Sequence, residues 1–277
     1  MNEVWTQIQE AVSFLRERSD FVPEVGLILG TGLGHLAESI DPVFKVPYDE
    51  IPHFAASTVQ SHHGQFVFGV LGGRNVVAMQ GRVHYYEGYS MKEITLPVRV
   101  MRALGADTLI MSNAVGGMDP HLETGDMTVI TDHINLMGDN PLIGPNDDRL
   151  GVRFPDMSEP YDKDLVRLAE QTALELGLSL KRAVYCAVAG PNLETAAEYR
   201  FLRAVGADTV GMSIVPECLA ALHGGMRVVG FSAVTDACFP DALKPADVDE
   251  IIRVAQTVEP KLCRLVTELL QRMPART

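Results

Sequence analysis

Three short apolar runs, far apart in the chain, each end in glycine or in small polar residues. They lie at residues 26–34, 76–84 and 109–117. A strand that ends in this way leaves backbone N–H groups free at the carboxyl edge of a sheet, where α/β folds bind ligands. In the second run Arg82 and His84 are two residues apart, so an extended backbone directs both side chains to one face. The pattern predicts an anion site, and phosphate is the anion that we expect.

The size and charge of the chain limit its class and its partners. With 277 residues, 47% of them hydrophobic, we expect one domain that spans residues 1–277. A formal net charge of −13 without a compensating Lys/Arg cluster argues against nucleic acid and anionic membrane as partners. No apolar stretch is long enough to span a membrane and no leader pattern opens the chain, so we expect a cytoplasmic protein. The four cysteines include no Cys-x-x-Cys pair and are expected to be reduced core residues.

Strand-like and helix-like segments alternate along the chain, which predicts an α/β fold. Gly72 and Gly73 separate two strand-like runs, so a hairpin is predicted there. Apolar residues at helical spacing from Val248 to Leu269 predict a closing helix, which we expect Pro260 to break or kink. Further strands are predicted at residues 25–30, 108–112, 127–131, 183–189, 208–212 and 228–234, and further helices at 3–18, 33–39, 162–176, 194–205 and 215–223.

Two familiar site types fit the sequence poorly. The glycine-rich segment after the first run has His35 where a dinucleotide-binding fingerprint needs glycine, and it lacks the Gly-Lys-Ser/Thr end of a nucleotide P-loop. Residues 211–215 approach the nucleophile elbow of serine hydrolases, but Val215 replaces the final glycine. Neither a dinucleotide site nor serine hydrolysis is predicted.

Six ordered segments carry a family resemblance. They are residues 81–89, 113–118, 132–136, 144–149, 189–195 and 210–217. Together they closely resemble the trimeric purine nucleoside phosphorylases, a family that also includes methylthioadenosine phosphorylase. The resemblance implies a twisted mixed β-sheet, partly closed into a barrel and surrounded by α-helices, in a homotrimer. It also implies a reaction in which a purine (2′-deoxy)ribonucleoside and orthophosphate give free purine and (2-deoxy)ribose 1-phosphate, with inversion at the anomeric carbon.

The resemblance implies a phosphate site that works without a covalent nucleophile. Phosphate is itself an anionic nucleophile, so orientation and electrostatics suffice. Taken singly, Arg82 could be a solvated charge, and Thr31 and Ser213 could cap helices. The implied phosphate-binding residues are Thr31, His62, Arg82, His84, Ala114 through its backbone N–H, and Ser213.

The resemblance also implies a nucleoside site. Tyr86 is expected near the ribose, and Met212 beneath the sugar and base. An ionised Glu194 would accept a hydrogen bond from the N1–H of a 6-oxopurine, although a carboxylate there could merely cap a helix. Phe154 is expected to complete the pocket of the neighbouring subunit. The full set is Tyr86, Phe154, Leu193, Glu194, Met212, Thr235, Asp236 and Val248, and the residues expected to act in catalysis are His84, Glu194 and Asp236.

Two residues depart from the 6-oxopurine pattern. Asp236 replaces an asparagine; a carboxylate cannot donate to O6 while ionised, but it suits a 6-amino donor. Val248 aligns approximately with a histidine that contacts the ribose 5′-hydroxyl, and a valine would prefer an apolar 5′-substituent. The Arg82-x-His84-x-Tyr86 run, residues 144–149 and residues 192–194 nevertheless resemble the inosine/guanosine branch, so we predict a phosphorylase of that type. Two alternatives stay open, a 5′-methylthioadenosine/adenosine phosphorylase and a non-catalytic nucleoside-binding protein.

No metal or organic cofactor is implied. The eight histidines show no ligand spacing with paired carboxylates or cysteines. Orthophosphate is expected to be a co-substrate.

Overall fold

The computed structural model describes residues 3–30, 34–56 and 64–274. Six α-helices and nine strands lie within these ranges. The helices are α1 (Glu3–Arg16), α2 (Met91–Leu104), α3 (Lys163–Glu175), α4 (Ala196–Ala204), α5 (Val215–His223) and α6 (Val248–Arg272). The strands are β1 (Val25–Leu29), β2 (Asp41–Pro47), β3 (Gln65–Leu71), β4 (Arg74–Gln80), β5 (Thr108–Gly117), β6 (Met127–Leu136), β7 (Lys181–Val188), β8 (Thr209–Gly211) and β9 (Arg227–Ala237). Short 3-10 helices occupy Gly34–Ser39, Tyr48–Glu50 and Tyr85–Glu87.

All nine strands belong to one mixed sheet, and one end of that sheet closes into a barrel. The strand order is β2-β3-β4-β1-β5-β8-β7-β6-β9, and β9 also pairs with β5 in parallel. The pairing of β9 with β5 closes a ring of five strands, β5, β8, β7, β6 and β9. Helices surround the sheet, with α2 packed on α1 and α5 and with α6 packed on α3 and β9. This arrangement confirms the predicted fold class, whereas the extent of one domain over residues 1–277 stays a prediction.

The three apolar runs of the sequence become three adjacent strands. Strand β1 lies between β4 and β5, and both pairings are parallel. All five residues of β1 are buried, as expected of a central strand covered on both faces. Leu29 pairs with Gln80, and Ile28 pairs with Met111, so the three carboxyl ends meet at one edge of the sheet. This edge is where the sequence predicts the ligand site.

Several strands extend beyond their predicted ends. The sequence predicts that the strand near residue 108 ends at 112, but β5 continues to Gly117; similarly, β6 continues to Leu136 and β9 to Ala237. The added residues are rich in glycine and polar side chains, which favour loops in sequence-based reasoning. Barrel closure keeps them in strands, because each one except Thr235, which lies at a register shift, pairs with a neighbouring strand.

Two elements differ from the sequence expectation because of proline. Helix α6 runs unbroken through Pro260, so the predicted break is wrong, whereas the alternative of a kink stays a prediction. One buried apolar face, which includes Val258, Leu262 and Leu269, offsets the lost backbone hydrogen bond. Strand β2 was not predicted: it carries two prolines, its side chains are mostly exposed and it pairs only with β3 at the sheet edge.

The predicted hairpin is present, with β3 and β4 joined by Gly72 and Gly73. Both glycines have positive φ, at 57° and 75°, as a two-residue hairpin turn requires. The four cysteines are free thiols, three of them buried and Cys263 half-buried. No helix in the described ranges combines the length and apolarity needed to cross a membrane.

Candidate active site

A cavity of about 230 Å³ opens beside the carboxyl ends of β1, β4 and β5. Its walls come from the segments after β1 and β4, the second half of β5, the segment before α4 and the start of α4, strand β8, the turn before α5, the end of β9 and one turn of α6. The lining residues are Gly30, Arg82, His84, Tyr86, Asn113, Ala114, Val115, Gly116, Leu193, Glu194, Tyr199, Val210, Gly211, Met212, Ser213, Thr235, Asp236 and Ile251.

Most of the residues expected in the site line this one cavity. Thr31 and His62 lie outside the described residues. Phe154 and Val248 do not line the cavity. The expected residues that it brings together are Arg82, His84, Ala114 and Ser213 from the phosphate set, and Tyr86, Leu193, Glu194, Met212, Thr235 and Asp236 from the nucleoside set.

Arg82 is held in place at one end of the cavity. Its side chain is 2% exposed; Nη1 donates to Oε1 of Glu217 at 3.1 Å, and Nη2 donates to the carbonyl oxygen of Ser112. Gly30 allows this close approach, since a Cβ there would lie 2.4 Å from the Ser112 oxygen and 2.6 Å from Arg82 Nη2. Arg82 is therefore a buried cation with a buried carboxylate partner, fixed in a single orientation.

His84 is oriented by a neighbouring carboxylate and an aromatic ring. Its backbone N–H donates to Oε1 of Glu87 at 2.6 Å, and its Nδ1 lies 3.1 Å from the same oxygen. The Tyr86 ring stacks on the imidazole with centroids 4.8 Å apart. Burial raises the pKa of the Tyr86 phenol, Glu87 raises it further, and Arg82 opposes the change. The Glu87 contact favours a proton on Nδ1 and fixes the direction of the ring.

The turn that carries Ser213 has an unusual backbone. Ile214 follows it with φ 68° and ψ −50°, a strained conformation for a β-branched residue. Tyr185, which is fully buried, stabilises the turn: its hydroxyl donates to the Ser213 carbonyl at 3.0 Å and accepts from the Ser213 N–H at 3.1 Å. Helix α5 begins at Val215, so Ser213 lies next to the partial positive charge of a helix N-terminus.

Glu194 lies just before α4 and is not the residue that caps it. Thr195 is the N-cap, and its hydroxyl accepts from the backbone N–H of Glu198. The predicted helix start at Glu194 is therefore two residues early, and its carboxylate is available to the cavity. Burial raises the pKa of Glu194, Asp236 and Glu198 also raise it, and a hydrogen bond with Tyr199 opposes them.

Asp236 faces the cavity from a bulge in the barrel. The register between β5 and β9 shifts after Val115, which places Asp236 opposite Gly116. Such bulges redirect side chains, and they are common beside active sites. The Thr235 hydroxyl lies 2.9 Å from Oδ1 of Asp236, and the Cys238 thiol lies 3.0 Å from Oδ2.

Strand β5 gives the spacing between the two ends of the cavity. Arg82 contacts Ser112, and Asp236 pairs with Gly116, four residues further along the strand. Four extended residues span about 13 Å. Ala114 lies midway between them. The cavity can thus hold an anion at its Arg82 end and a polar heterocycle at its carboxylate end, with room for a sugar between them.

Two expected residues are placed elsewhere on this chain. Val248 is the first residue of α6 and is 63% exposed; Ile251, one turn later, lines the cavity instead. Phe154 is 86% exposed, so it is not anchored against its own chain. Its role in a neighbouring subunit stays a prediction, as does the contact of Val248 with the 5′ position.

Sequence reasoning missed several lining residues. Asn113 is buried; its Oδ1 accepts from the Ser232 hydroxyl at 2.7 Å, and its Nδ2 has no partner within the described ranges. Tyr199 lies on the first turns of α4 and interacts with Glu194. Ile251 lies one helical turn after Val248, so helical spacing could have identified it. No local sequence pattern indicates Asn113 or Tyr199. Within residues 3–30, 34–56 and 64–274, no three His, Cys, Asp or Glu side chains are grouped to hold a metal ion.

Comparisons with known proteins identify the family of this chain. The sequence model of the Phosphorylase superfamily matches residues 24–271. Purine nucleoside phosphorylase 1 of Bacillus subtilis is 50% identical over 264 residues, which cover 95% of this chain and 97% of that protein. The chain therefore belongs to the phosphorylase superfamily and, within it, to the purine nucleoside phosphorylases.

Solved structures of one relative show the same fold with nucleosides bound. The Schistosoma mansoni purine nucleoside phosphorylase in complex with inosine has a TM-score of 0.93 and 37% identity, with 98% of each chain covered. The same organism's enzyme in complex with adenosine has a TM-score of 0.92 and 37% identity, covering 97% of this chain and 98% of that one. The predicted family and the predicted enzyme class, phosphorolysis of purine nucleosides, are confirmed.

Proposed function

We propose that this enzyme acts mainly on 6-oxopurine nucleosides of the inosine and guanosine type, giving free purine and (2-deoxy)ribose 1-phosphate. The observation that carries this proposal is the presence of Glu194 in the same cavity as Arg82 and His84. An ionised Glu194 accepts from the N1–H of hypoxanthine, and from N1–H and the 2-amino group of guanine. The solved relative with inosine bound supports the same substrate class.

Orthophosphate is the co-substrate in this proposal, with no metal or organic cofactor. Arg82, His84, Ser213 and the backbone N–H of Ala114 hold the oxyanion and point one oxygen at the anomeric carbon. A carbon–oxygen bond forms as the bond to purine N9 breaks, on the opposite face, so the configuration inverts. Thr31 and His62 belong to the same proposed phosphate set.

The carboxylate end stabilises the departing purine. The electron pair of the broken bond passes into the purine ring, and a proton at N7 neutralises the charge. Asp236 accepts from that N7–H while it is ionised, or donates to N7 while it is protonated. Met212 and Tyr86 pack against the sugar between the two ends, and Leu193 and Thr235 border the base.

A second candidate is activity on adenosine or 5′-methylthioadenosine. Asp236 favours it, because a carboxylate accepts from a 6-amino group and an asparagine-like donor is absent at that position. The solved relative in complex with adenosine supports this second candidate. The apolar side chain of Ile251 on α6 supplies an apolar wall of the kind that we expected from Val248.

We also propose that the chain works as a cytoplasmic homotrimer in which Phe154 completes a neighbour's site. Phe154, Val152 and Ile143 are large apolar side chains that are well exposed on the single chain. Large apolar side chains that are exposed on a single chain are covered when they lie in an interface between subunits. Light scattering of the purified chain in solution measures the subunit number directly.

Phosphorolysis assays test the substrate proposal. Release of free base is measured from inosine, guanosine, adenosine and 5′-methylthioadenosine, each with and without phosphate. We expect phosphate-dependent release with the highest kcat/KM for inosine or guanosine. Activity on 5′-methylthioadenosine alone would overturn the proposed preference, and tight nucleoside binding without release would indicate a binding protein.

A further inference from the structure

A second cavity, of about 410 Å³, lies between α1, α2, the end of α5 and the segment at residues 149–150. It shares no lining residue with the active-site cavity. Its lining contains three arginines, Arg99, Arg102 and Arg149, and no aspartate or glutamate of the described residues. The chain as a whole has a formal net charge of −13, so this cavity is a local exception. A cavity lined by charge of one sign attracts ions of the other sign.

Arg99 is a buried guanidinium without an acidic partner among the described residues. Its side chain is buried, and its one hydrogen-bond partner in those ranges is Nδ1 of His223, 3.2 Å from Nη1. Burial and the charge of Arg99 lower the pKa of His223, so at neutral pH the imidazole is uncharged and accepts this bond. Burial also lowers the pKa of Arg99 to about 10, which leaves Arg99 charged at neutral pH. A buried charge of this kind is stabilised when an ion of opposite sign binds beside it.

Arg102 supplies a second cation whose partners are uncharged. Its Nε donates to the carbonyl oxygen of Gly224 at 2.7 Å, and its Nη1 donates to that of Ala106 at 3.5 Å. These carbonyl oxygens orient the guanidinium without neutralising it. Arg149 differs, because its Nε donates to Oδ1 of Asp147 at 2.8 Å. Two of the three guanidinium groups therefore have no acidic partner in the described part of the chain.

The remaining walls of this cavity are mainly apolar. They include the indole of Trp5 and the side chains of Ile8, Leu150 and Ala220. The guanidinium of Arg149 lies over the indole, 4.3 Å from the ring centroid. The cavity is also larger than the active-site cavity of about 230 Å³. Apolar walls with a few convergent polar groups are typical of sites for organic ligands, so the space suits an anion with an organic body.

We propose that this cavity is a second ligand site, which binds a phosphate monoester with an aromatic or apolar body, the chemistry of a nucleoside monophosphate. A phosphate monoester carries a charge of about −1.5 to −2 at pH 7, which matches two unbalanced guanidinium groups. A carboxylate would balance only one of them. Arginine also binds phosphate oxygens through two parallel N–H groups. The site is independent of the proposed phosphorolysis.

The test uses the fluorescence of Trp5, the single tryptophan of the chain, which lies in this cavity. The full-length enzyme is titrated with inosine 5′-monophosphate in a buffer without phosphate. Separate titrations with inosine, inorganic phosphate and benzoate present the body alone, the anion alone and a carboxylate on an aromatic body.

The variants are Arg102→Gln, which removes the charge, and Arg102→Lys, which keeps the charge without the planar group. Arg182→Gln is the matched control, because Arg182 pairs with Glu170 on the exposed surface, outside both cavities. Thermal unfolding of each variant shows whether it is folded before titration.

We expect inosine 5′-monophosphate to change the Trp5 fluorescence saturably, with a Kd at least about tenfold below those of inosine, inorganic phosphate and benzoate. Arg102→Gln should raise that Kd at least about tenfold, as loss of hydrogen bonds to a charged group implies. Arg102→Lys should raise it less, and Arg182→Gln should leave it unchanged.

The proposal is overturned if inosine 5′-monophosphate gives no saturable change, or if any of the other three compounds binds equally well. It is also overturned if both folded Arg102 variants keep the wild-type Kd, or if Arg182→Gln raises the Kd as much as they do. Should Arg102→Gln not fold, an unchanged Kd in Arg102→Lys has the same meaning. None of these results depends on release of free base, which tests the proposed function separately.

Discussion

Replacing Glu217 with glutamine should weaken the fold and strengthen phosphate binding at the same time. Glu217 is 4% exposed, and its Oε1 accepts from Arg82 at 3.1 Å. Its Oε2 has no hydrogen-bond partner within the described ranges, so the amide nitrogen of glutamine placed there would be a buried unpaired donor, whose cost adds to that of the lost charge. Breaking a buried ion pair costs about 3 kcal/mol. For a chain of this size that lowers Tm by about 6–10 °C.

The same change removes a negative charge that competes with the anion for Arg82. Two like charges about 7 Å apart, on opposite sides of one guanidinium, repel by about 2 kcal/mol at an effective dielectric constant of about 20. Removing that repulsion tightens phosphate binding by up to about thirtyfold. Saturating phosphate should then restore about 2 kcal/mol of the lost stability in the variant, beyond its effect on wild type.

Thermal unfolding across a phosphate titration measures both effects, and the KM for phosphate gives an independent value. Glu170→Gln is the matched control, since Glu170 pairs with Arg182 at 2.6 Å on the exposed surface, where such a pair contributes about 0.5 kcal/mol. If phosphate raises the Tm of Glu217→Gln no more than it raises the Tm of wild type, the anion does not bind at Arg82.

The remaining predictions concern the base, the loop after β1 and the neighbouring subunit. Burial raises the pKa of Glu194, so kcat/KM for inosine should fall as the pH drops through that raised value. The kcat/KM for adenosine should fall less over the same range. Parallel pH profiles for the two nucleosides would contradict the role of Glu194. Gly30→Ala should lower kcat/KM at least about tenfold, because the alanine Cβ would lie 2.4 Å from the Ser112 oxygen and displace Arg82. A crystal structure of an active variant with Arg82 unmoved would refute this. Phe154→Ala should raise the nucleoside KM about tenfold without lowering Tm, since its side chain is 86% exposed on its own chain, and an unchanged KM in a purified trimer would exclude it from the site.

Local sequence reasoning located the edge of the sheet at which the cavity opens. The three apolar runs end beside one another because β4, β1 and β5 are parallel neighbours, and Arg82 and His84 follow one of them. The family resemblance then supplied Glu194, Met212 and Asp236, which line the cavity. Apolar spacing and each single motif can be recognised from the sequence because each depends only on residues close together in the chain.

Other features depend on residues that are distant in the sequence. Glu217 meets Arg82 from 135 positions away, and the Cys238 contact needs the register shift that brings Asp236 opposite Gly116. The positive φ of Ile214 contradicts the preference of a β-branched residue and is held by the buried Tyr185 next to it. No local pattern predicts any of these contacts.

The sequence by itself determined the alternation of strands and helices, the edge of the sheet at which the cavity opens and the types of side chain that face it. Only the tertiary structure decided which charges are paired, which donors contact Glu194 and Asp236, and which turn of α6 reaches the cavity. The physical reason is range: hydrophobic periodicity is a property of a few consecutive residues, whereas burial and pairing of charge arise only when the barrel closes and brings distant segments together.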